Sequence, residues 1–198
     1  MIAIVDYGVG NIRSVVNALT RAGVAEPVLT ADRELLRKAD KVVLPGVGDA
    51  SCAMAALKDC GLAEFIPTLA QPVLGICVGL QLMCRRSEEG DVACMGIFDT
   101  DVVRFKPAEG LKIPHMGWNS ISGLKTDLFK GLNEDSYVYY VHSYYPQLCG
   151  DTIATTTHGV AFSGALARGN FYGTQFHPEK SGEVGAAIIK NFLELCYR

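Results

Sequence analysis

Apolar positions in the first half of the chain fall into short unbroken runs, and each run is followed by a stretch with helical spacing. Residues 2–6, 28–30, 41–44 and 73–77 read as strands; residues 11–21, 32–37, 49–58 and 80–86 read as the helices between them. Runs that are apolar without alternation belong to strands covered on both faces. A repeating strand–helix order predicts a parallel sheet flanked by helices. From about Asp101 the pattern changes. Residues 101–105, 119–121, 137–144, 152–157, 161–167 and 171–176 read as strands with few helices between them, an antiparallel or mixed extension of the parallel core. A last helix over 183–195 carries Val184, Ile188, Phe192 and Leu195 at helical spacing and is expected to pack back on the sheet. No linker, low-complexity run or repeat interrupts the chain, so one domain over 1–198 is expected.

Composition narrows the function classes. A net charge of −3 with scattered Lys and Arg offers no footprint for nucleic acid and no basic amphipathic stretch for a membrane surface. The longest apolar run, residues 73–84, contains Gln81 and falls short of the roughly 20 residues needed to span a bilayer. The N-terminus opens directly on a strand without a basic leader, so a cytoplasmic protein is expected. The seven cysteines form no CxxC pair, so no metal site is expected, and most should be small buried apolar side chains.

One cysteine stands apart. Gly75-Ile76-Cys77-Val78-Gly79 follows an apolar run and precedes a helical stretch, the pattern of a nucleophile elbow with sulfur in place of serine oxygen. The flanking glycines permit a tight turn and close approach of backbone to substrate. A thiol attacks as thiolate, and a nearby imidazole or the start of a helix favours that form. His177 and Glu179, in Gln175-Phe176-His177-Pro178-Glu179-Lys180, supply a base and a carboxylate to orient it. Pro178 favours an extended segment with both side chains on one side. Strand ends gather ligands in open α/β sheets, so Cys77 and His177 should meet there despite being 177 − 77 = 100 positions apart. His142 is a weaker rival base; His115 and His158 lack a carboxylate two positions on and read as surface or structural. The backbone N–H of Val78 is the first candidate for an oxyanion hole, and Pro45-Gly46-Val47-Gly48 is either the second or a plain strand-to-helix turn. Gln81, one helical turn after Cys77, can face the same pocket or be an ordinary exposed helix residue.

The elbow and the His-x-Glu segment make the chain resemble class I (triad-type) glutamine amidotransferase domains. Asp6-Tyr7-Gly8-Val9-Gly10-Asn11, Leu44-Pro45-Gly46-Val47-Gly48, Met116-Gly117-Trp118-Asn119 and Val141-His142-Ser143-Tyr144-Tyr145 make it similar to the branch that feeds a cyclase of histidine biosynthesis. The resemblance implies a flavodoxin-like sheet, no cofactor, and hydrolysis of L-glutamine through a γ-glutamyl thioester on Cys77, with His177 as base and Glu179 orienting it. It implies an oxyanion hole from Val78 and Val47, and substrate contacts from Gln81, Gly46, Ser143 and Tyr144. It further implies a separate (β/α)8-barrel cyclase as heterodimer partner, faced by Asn11, Met116, Trp118 and Lys180. Cys84 is assigned no role beyond packing. Other readings of the same residues are an amidotransferase serving another synthase, such as one for pyridoxal phosphate, a non-catalytic flavodoxin-like binding module, and a cysteine peptidase.

Overall fold

The computed structural model describes residues 1–195. In chain order its first strands are β1 (Ile2–Val5), β2 (Val28–Thr30), β3 (Lys41–Leu44), β4 (Val73–Ile76), β5 (Arg86–Ser87) and β6 (Val92–Ala93). There follow β7 (Asp101–Arg104), β8 (His115–Ile121), β9 (Ser136–His142), β10 (Tyr144–Pro146), β11 (Thr152–His158), β12 (Val160–Arg168) and β13 (Phe171–Thr174). The helices are α1 (Ile12–Arg21), α2 (Arg33–Lys38), α3 (Ala50–Asp59), α4 (Val78–Met83) and α5 (Gly182–Glu194).

The main sheet has the order β11-β12-β13-β4-β3-β1-β2. Its five strands from β13 to β2 are parallel, and β11 and β12 extend it antiparallel at one edge. The fold class expected from the sequence is therefore present: a large, mostly parallel α/β sheet with an antiparallel extension. All four residues of β3 and of β4 are buried, as the unalternated apolar runs Val42–Leu44 and Val73–Ile76 require, and the charged Lys41 is buried with them. Helices turn their apolar stripes to the sheet: Val15, Ala18 and Leu19 from α1; Ala53, Met54 and Leu57 from α3; Ile188, Ile189 and Phe192 from α5. Each fully buried large aliphatic or aromatic side chain adds roughly 1.5–3 kcal/mol of transfer free energy. Asp32 and Asp49 cap α2 and α3 by accepting first-turn N–H bonds. A second sheet, β10-β7-β5-β6, and the two-stranded ribbon β8–β9 lie outside the main sheet.

Several elements differ from the sequence reading. The helix expected at 80–86 is α4, which begins immediately after Cys77 and ends at the extended Cys84, where Arg85 N–H joins Thr100 O and leads into β5. The single strand expected at 137–144 breaks at Ser143, so Tyr144 leaves β9 and pairs with Arg104 of β7. The strand expected at 119–121 begins four residues earlier, at His115. Most cysteines are not buried: Cys77 and Cys84 are, Cys94 and Cys149 are half-buried, Cys52 and Cys60 are exposed, and Cys196 lies outside the described residues. Cys52 lies on α3 away from its buried residues Ala53, Met54 and Leu57, and Cys60 caps the end of that helix, placements that composition does not encode.

Among the described residues no helix is long and apolar enough to cross a membrane.

Candidate active site

Three neighbouring strands, β3, β4 and β13, run parallel and end on one side of the sheet. Gly46 and Val47 follow the first, Cys77 the second, His177 the third. Cys77 N–H donates to Thr174 O of β13 at 2.8 Å, tying the elbow to its neighbour. The turn is sharp enough to put Cys77 at φ 53°, ψ −109°, a region that residues with a side chain rarely adopt. Gly79 is required by packing within the protein: a Cβ there would overlap the Leu44 carbonyl oxygen, and one at Gly46 would overlap Gly79 N. The glycines let the strand ends close on each other.

His177 is extended at φ −95°, ψ 96°, but the segment after it is not. Pro178–Lys180 is a 3₁₀ turn with proline in its first position, where a missing N–H costs nothing. The turn, and not an extended chain, brings Glu179 Oε1 to His177 Nδ1 at 2.8 Å, with both side chains almost wholly buried. The backbone of His177 is held twice, by its N–H on Tyr139 O at 2.9 Å and by Ser181 Oγ on its carbonyl at 2.6 Å. Burial opposes the imidazolium, but interactions with Cys77 and Glu179 outweigh it and push the pKa of His177 up to about 10. The thiol, imidazole and carboxylate thus form one contiguous unit in which a proton passing from sulfur to His177 is well accommodated.

These groups open on a cavity of about 220 Å³ whose walls include Val47, Cys77, Val78, Gln81, Glu89, Val141, His142, Ser143, Tyr144, His177 and Lys180. Val78 opens α4, so its N–H has no acceptor within the helix. Gly46 is buried beneath Val78 and Gly79 and is not in the cavity wall. Gln81 is buried, not an exposed helix residue: its Nε2 donates to Tyr144 O and to Gln175 Oε1, each at 3.0 Å. Gln81 Oε1 has no hydrogen-bond partner among the described residues. Gln175, wholly buried, donates in turn to Cys77 Sγ at 3.7 Å. His142 is disqualified as the base. Its Nδ1 is bonded to Tyr144 O at 2.7 Å, its Nε2 to His115 at 2.9 Å, and burial pushes its pKa down to about 3. His115 is buried, not on the surface.

Sequence reasoning missed three residues. Gln175 stands behind Cys77, and Glu89 lines the cavity while accepting Ala50 N–H at 2.8 Å, its pKa raised by burial. Tyr7 O–H donates to Pro45 O at 2.7 Å and so anchors the start of the Gly46–Val47 segment. Of the residues expected to face a partner, Met116 and Trp118 are 63% and 55% exposed, with Tyr137 beside them at 60%. Trp118 is therefore not a core aromatic. Lys180 is exposed at the cavity wall, and Asn11, half-buried, precedes α1. Among the described residues no group of three His, Cys, Asp or Glu is arranged to hold a metal ion.

The family model described as "Glutamine amidotransferase class-I" matches residues 3–196. An imidazole glycerol phosphate synthase subunit HisH of Bacteroides fragilis is 60% identical over 98% of this chain and 99% of its own. The HisH subunit of Bacteroides thetaiotaomicron is 55% identical over the same shares. Among solved structures, PurLQS from Thermotoga maritima superposes with a TM-score of 0.71 at 18% identity, over 98% of this chain and 97% of that one. The glutaminase domain of Trypanosoma brucei CTPS with bound acivicin superposes with a TM-score of 0.65 at 15% identity, over 100% and 95%. The two structures speak for the fold alone.

Proposed function

The chain belongs to the class-I glutamine amidotransferase family, and from that premise we propose that it is the glutaminase subunit of an imidazole glycerol phosphate synthase. It hydrolyses L-glutamine to L-glutamate and ammonia, and passes the ammonia to a separate (β/α)8-barrel cyclase that makes imidazole glycerol phosphate and aminoimidazole carboxamide ribotide. The observation that carries the chemistry is the meeting of Cys77, on its strained elbow, with the buried His177–Glu179 pair at one cavity. The choice of synthase rests on the HisH relatives.

In this reading the Cys77 proton passes to His177 as sulfur attacks the carboxamide carbon of glutamine. The developing oxyanion is met by the N–H groups of Val78 and Val47, two residues that line the cavity. His177 returns the proton to the departing nitrogen, ammonia leaves, and a γ-glutamyl thioester remains on Cys77. Water then gives a proton to His177 and attacks the thioester; glutamate departs and the thiol regains its proton. Glu179 keeps Nδ1 of His177 protonated, which leaves Nε2 for these transfers. Glu89 is the carboxylate matched to the α-ammonium of glutamine, while Gln81, Ser143 and Tyr144 complete the substrate contacts; Gly46, outside the cavity wall, supports Val47 from beneath. Asn11, Met116, Trp118 and Lys180 face the cyclase, in the cytoplasm, and residues 1–198 act as one domain. Hydrolysis needs no cofactor.

The test is glutamate release by the purified chain, alone and with a cyclase subunit plus its nucleotide ligand, with Cys77→Ala in parallel. Stimulation by the partner that vanishes in Cys77→Ala is expected. Hydrolysis indifferent to the partner would point to another amidotransferase, and none under any condition would favour a binding module.

A further inference from the structure

The β8–β9 ribbon has two unlike faces. Met116 and Trp118 alternate outward, while His115 and His142 face each other on the inner side, with Asn119 two steps along. The inner face is enclosed by aromatic rings: Phe105, Tyr140 and Phe162 all lie within 6.2 Å, centroid to centroid, of one or both imidazoles. His158 stacks on His115 at 4.1 Å. Packing of this kind asks only for flat apolar rings, and phenylalanine would serve.

The nitrogens of the two imidazoles do something else. Tyr144 O can only accept, so His142 Nδ1 carries the proton of their 2.7 Å bond. A neutral imidazole then accepts at Nε2, so His115 Nδ1 carries the proton of the 2.9 Å bond between the rings. His115 Nε2 is left as acceptor, and Asn119 Nδ2 lies 3.2 Å from it. The orientation of that amide is fixed independently: Asn119 Oδ1 accepts Ser120 N–H at 2.8 Å and Nδ2 donates to Thr157 O at 2.9 Å. Both ends of the chain demand the same direction, Asn119 to His115 to His142 to Tyr144. Burial pushes His115 down to about 4 and His142 to about 3, so both rings stay neutral at physiological pH.

The relay ends where substrate contacts begin. Tyr144 O also accepts from Gln81 Nε2, which reaches Gln175, which reaches Cys77 Sγ. His142, Ser143 and Tyr144 form one wall of the cavity, at the break between β9 and β10. We propose that His142 and His115 are positioning residues for glutamine binding: an uncharged, one-directional imidazole pair that fixes the Tyr144 carbonyl, and through it the Ser143–Tyr144 wall and the Gln81 carboxamide. The proposal rests on the glutaminase reading and goes beyond it by assigning work to two histidines outside the triad.

The test is steady-state glutaminase kinetics of the complex with the cyclase subunit and its nucleotide ligand, on wild type, His142→Phe, His142→Asn and His115→Phe. Phenylalanine keeps the ring and removes the nitrogens; asparagine sets an N–H close to where Nδ1 donates. Expected for His142→Phe is a rise of about tenfold in KM, equivalent to about 1.4 kcal/mol, with kcat falling by no more than about threefold. His142→Asn should recover KM to within about threefold of wild type, and His115→Phe should raise it about threefold. A packing role alone predicts unchanged KM in all three, with kcat falling only as the folded fraction falls, and that result overturns the proposal. Equal KM defects in His142→Phe and His142→Asn overturn it as well. Should His142→Phe fail to fold by circular dichroism, His115→Phe decides: unchanged KM there overturns the proposal and a raised KM supports it. A wild-type complex without glutaminase activity would overturn the underlying reading instead.

Discussion

Glu179 lies behind the imidazole, away from the sulfur, yet it sets which nitrogen of His177 is free to work. Its Oε1 holds Nδ1 at 2.8 Å in a buried setting, so the proton resides there and Nε2 is left for the transfers of the proposed mechanism. Glu179→Gln keeps the shape and removes the charge that favours the imidazolium. We expect kcat for glutamate release to fall by about 10²–10⁴-fold with little change in KM, measured by steady-state kinetics. At this scale the sequence was legible where spacing carried the chemistry. The glycine-flanked Cys77 and the His-x-Glu pair could be read directly, although a 3₁₀ turn and not an extended segment brings the pair together. Glu89 could not be read. It sits in Ser87-Glu88-Glu89-Gly90 without periodicity, and only the folding of that loop against Ala50 turns one of the two carboxylates inward.

At the scale of elements, the β8–β9 ribbon shows what alternation does and does not reveal. Met116 and Trp118 outward, His115 and Asn119 inward is period-two patterning, but with polar residues on the inner face it does not read as a strand until the partner strand is known. The break at Ser143 was hidden for a related reason: Tyr144 is pulled away by pairing with Arg104, a residue 40 positions earlier. The buried imidazoles give the ribbon a pH dependence with a definite sign. An unfolded histidine titrates near 6.5, whereas His115 and His142 titrate at about 4 and about 3 in the fold. Between these values the unfolded chain binds more protons, so the stabilisation is complete above pH 6.5 and is lost as pH falls. Each pH unit in that window removes up to about 1.4 kcal/mol per imidazole. His177, raised to about 10, has the opposite sign; its contribution is complete below pH 6.5 and is lost as pH climbs toward 10. Thermal denaturation should therefore show a melting temperature that drops from pH 6.5 to 4, with a shallower slope in His115→Phe.

Across the whole molecule, parallel order was legible from unalternated apolar runs, while strand order was not. Nothing local says that β4 lies between β3 and β13, or that a strand formed last in the chain completes the site. That placement lets one side of the sheet carry Cys77, His177 and the Gly46–Val47 segment together. The same β8–β9 ribbon presents Met116, Trp118 and Tyr137 to solvent, a large apolar group for an isolated surface. Trp118→Glu should weaken association with the cyclase subunit by tenfold or more, roughly the cost of losing an aromatic anchor. The melting temperature of the isolated chain should hardly move. Sedimentation velocity on the mixture and calorimetry on the chain alone would check both.

The backbone at Cys77, φ 53° and ψ −109°, sets the fold and the catalyst at odds over a single codon. Conformations of this kind cost on the order of 1–3 kcal/mol for a residue with a side chain, and glycine adopts them freely. Cys77→Gly should thus have a higher urea midpoint than Cys77→Ala, reversing the usual ranking of glycine and alanine. The strain falls on the residue to which the proposed mechanism gives the thiol chemistry. In a lineage released from the need for ammonia, a change of Cys77 to glycine would remove the thiol at less cost to the fold than a change to alanine.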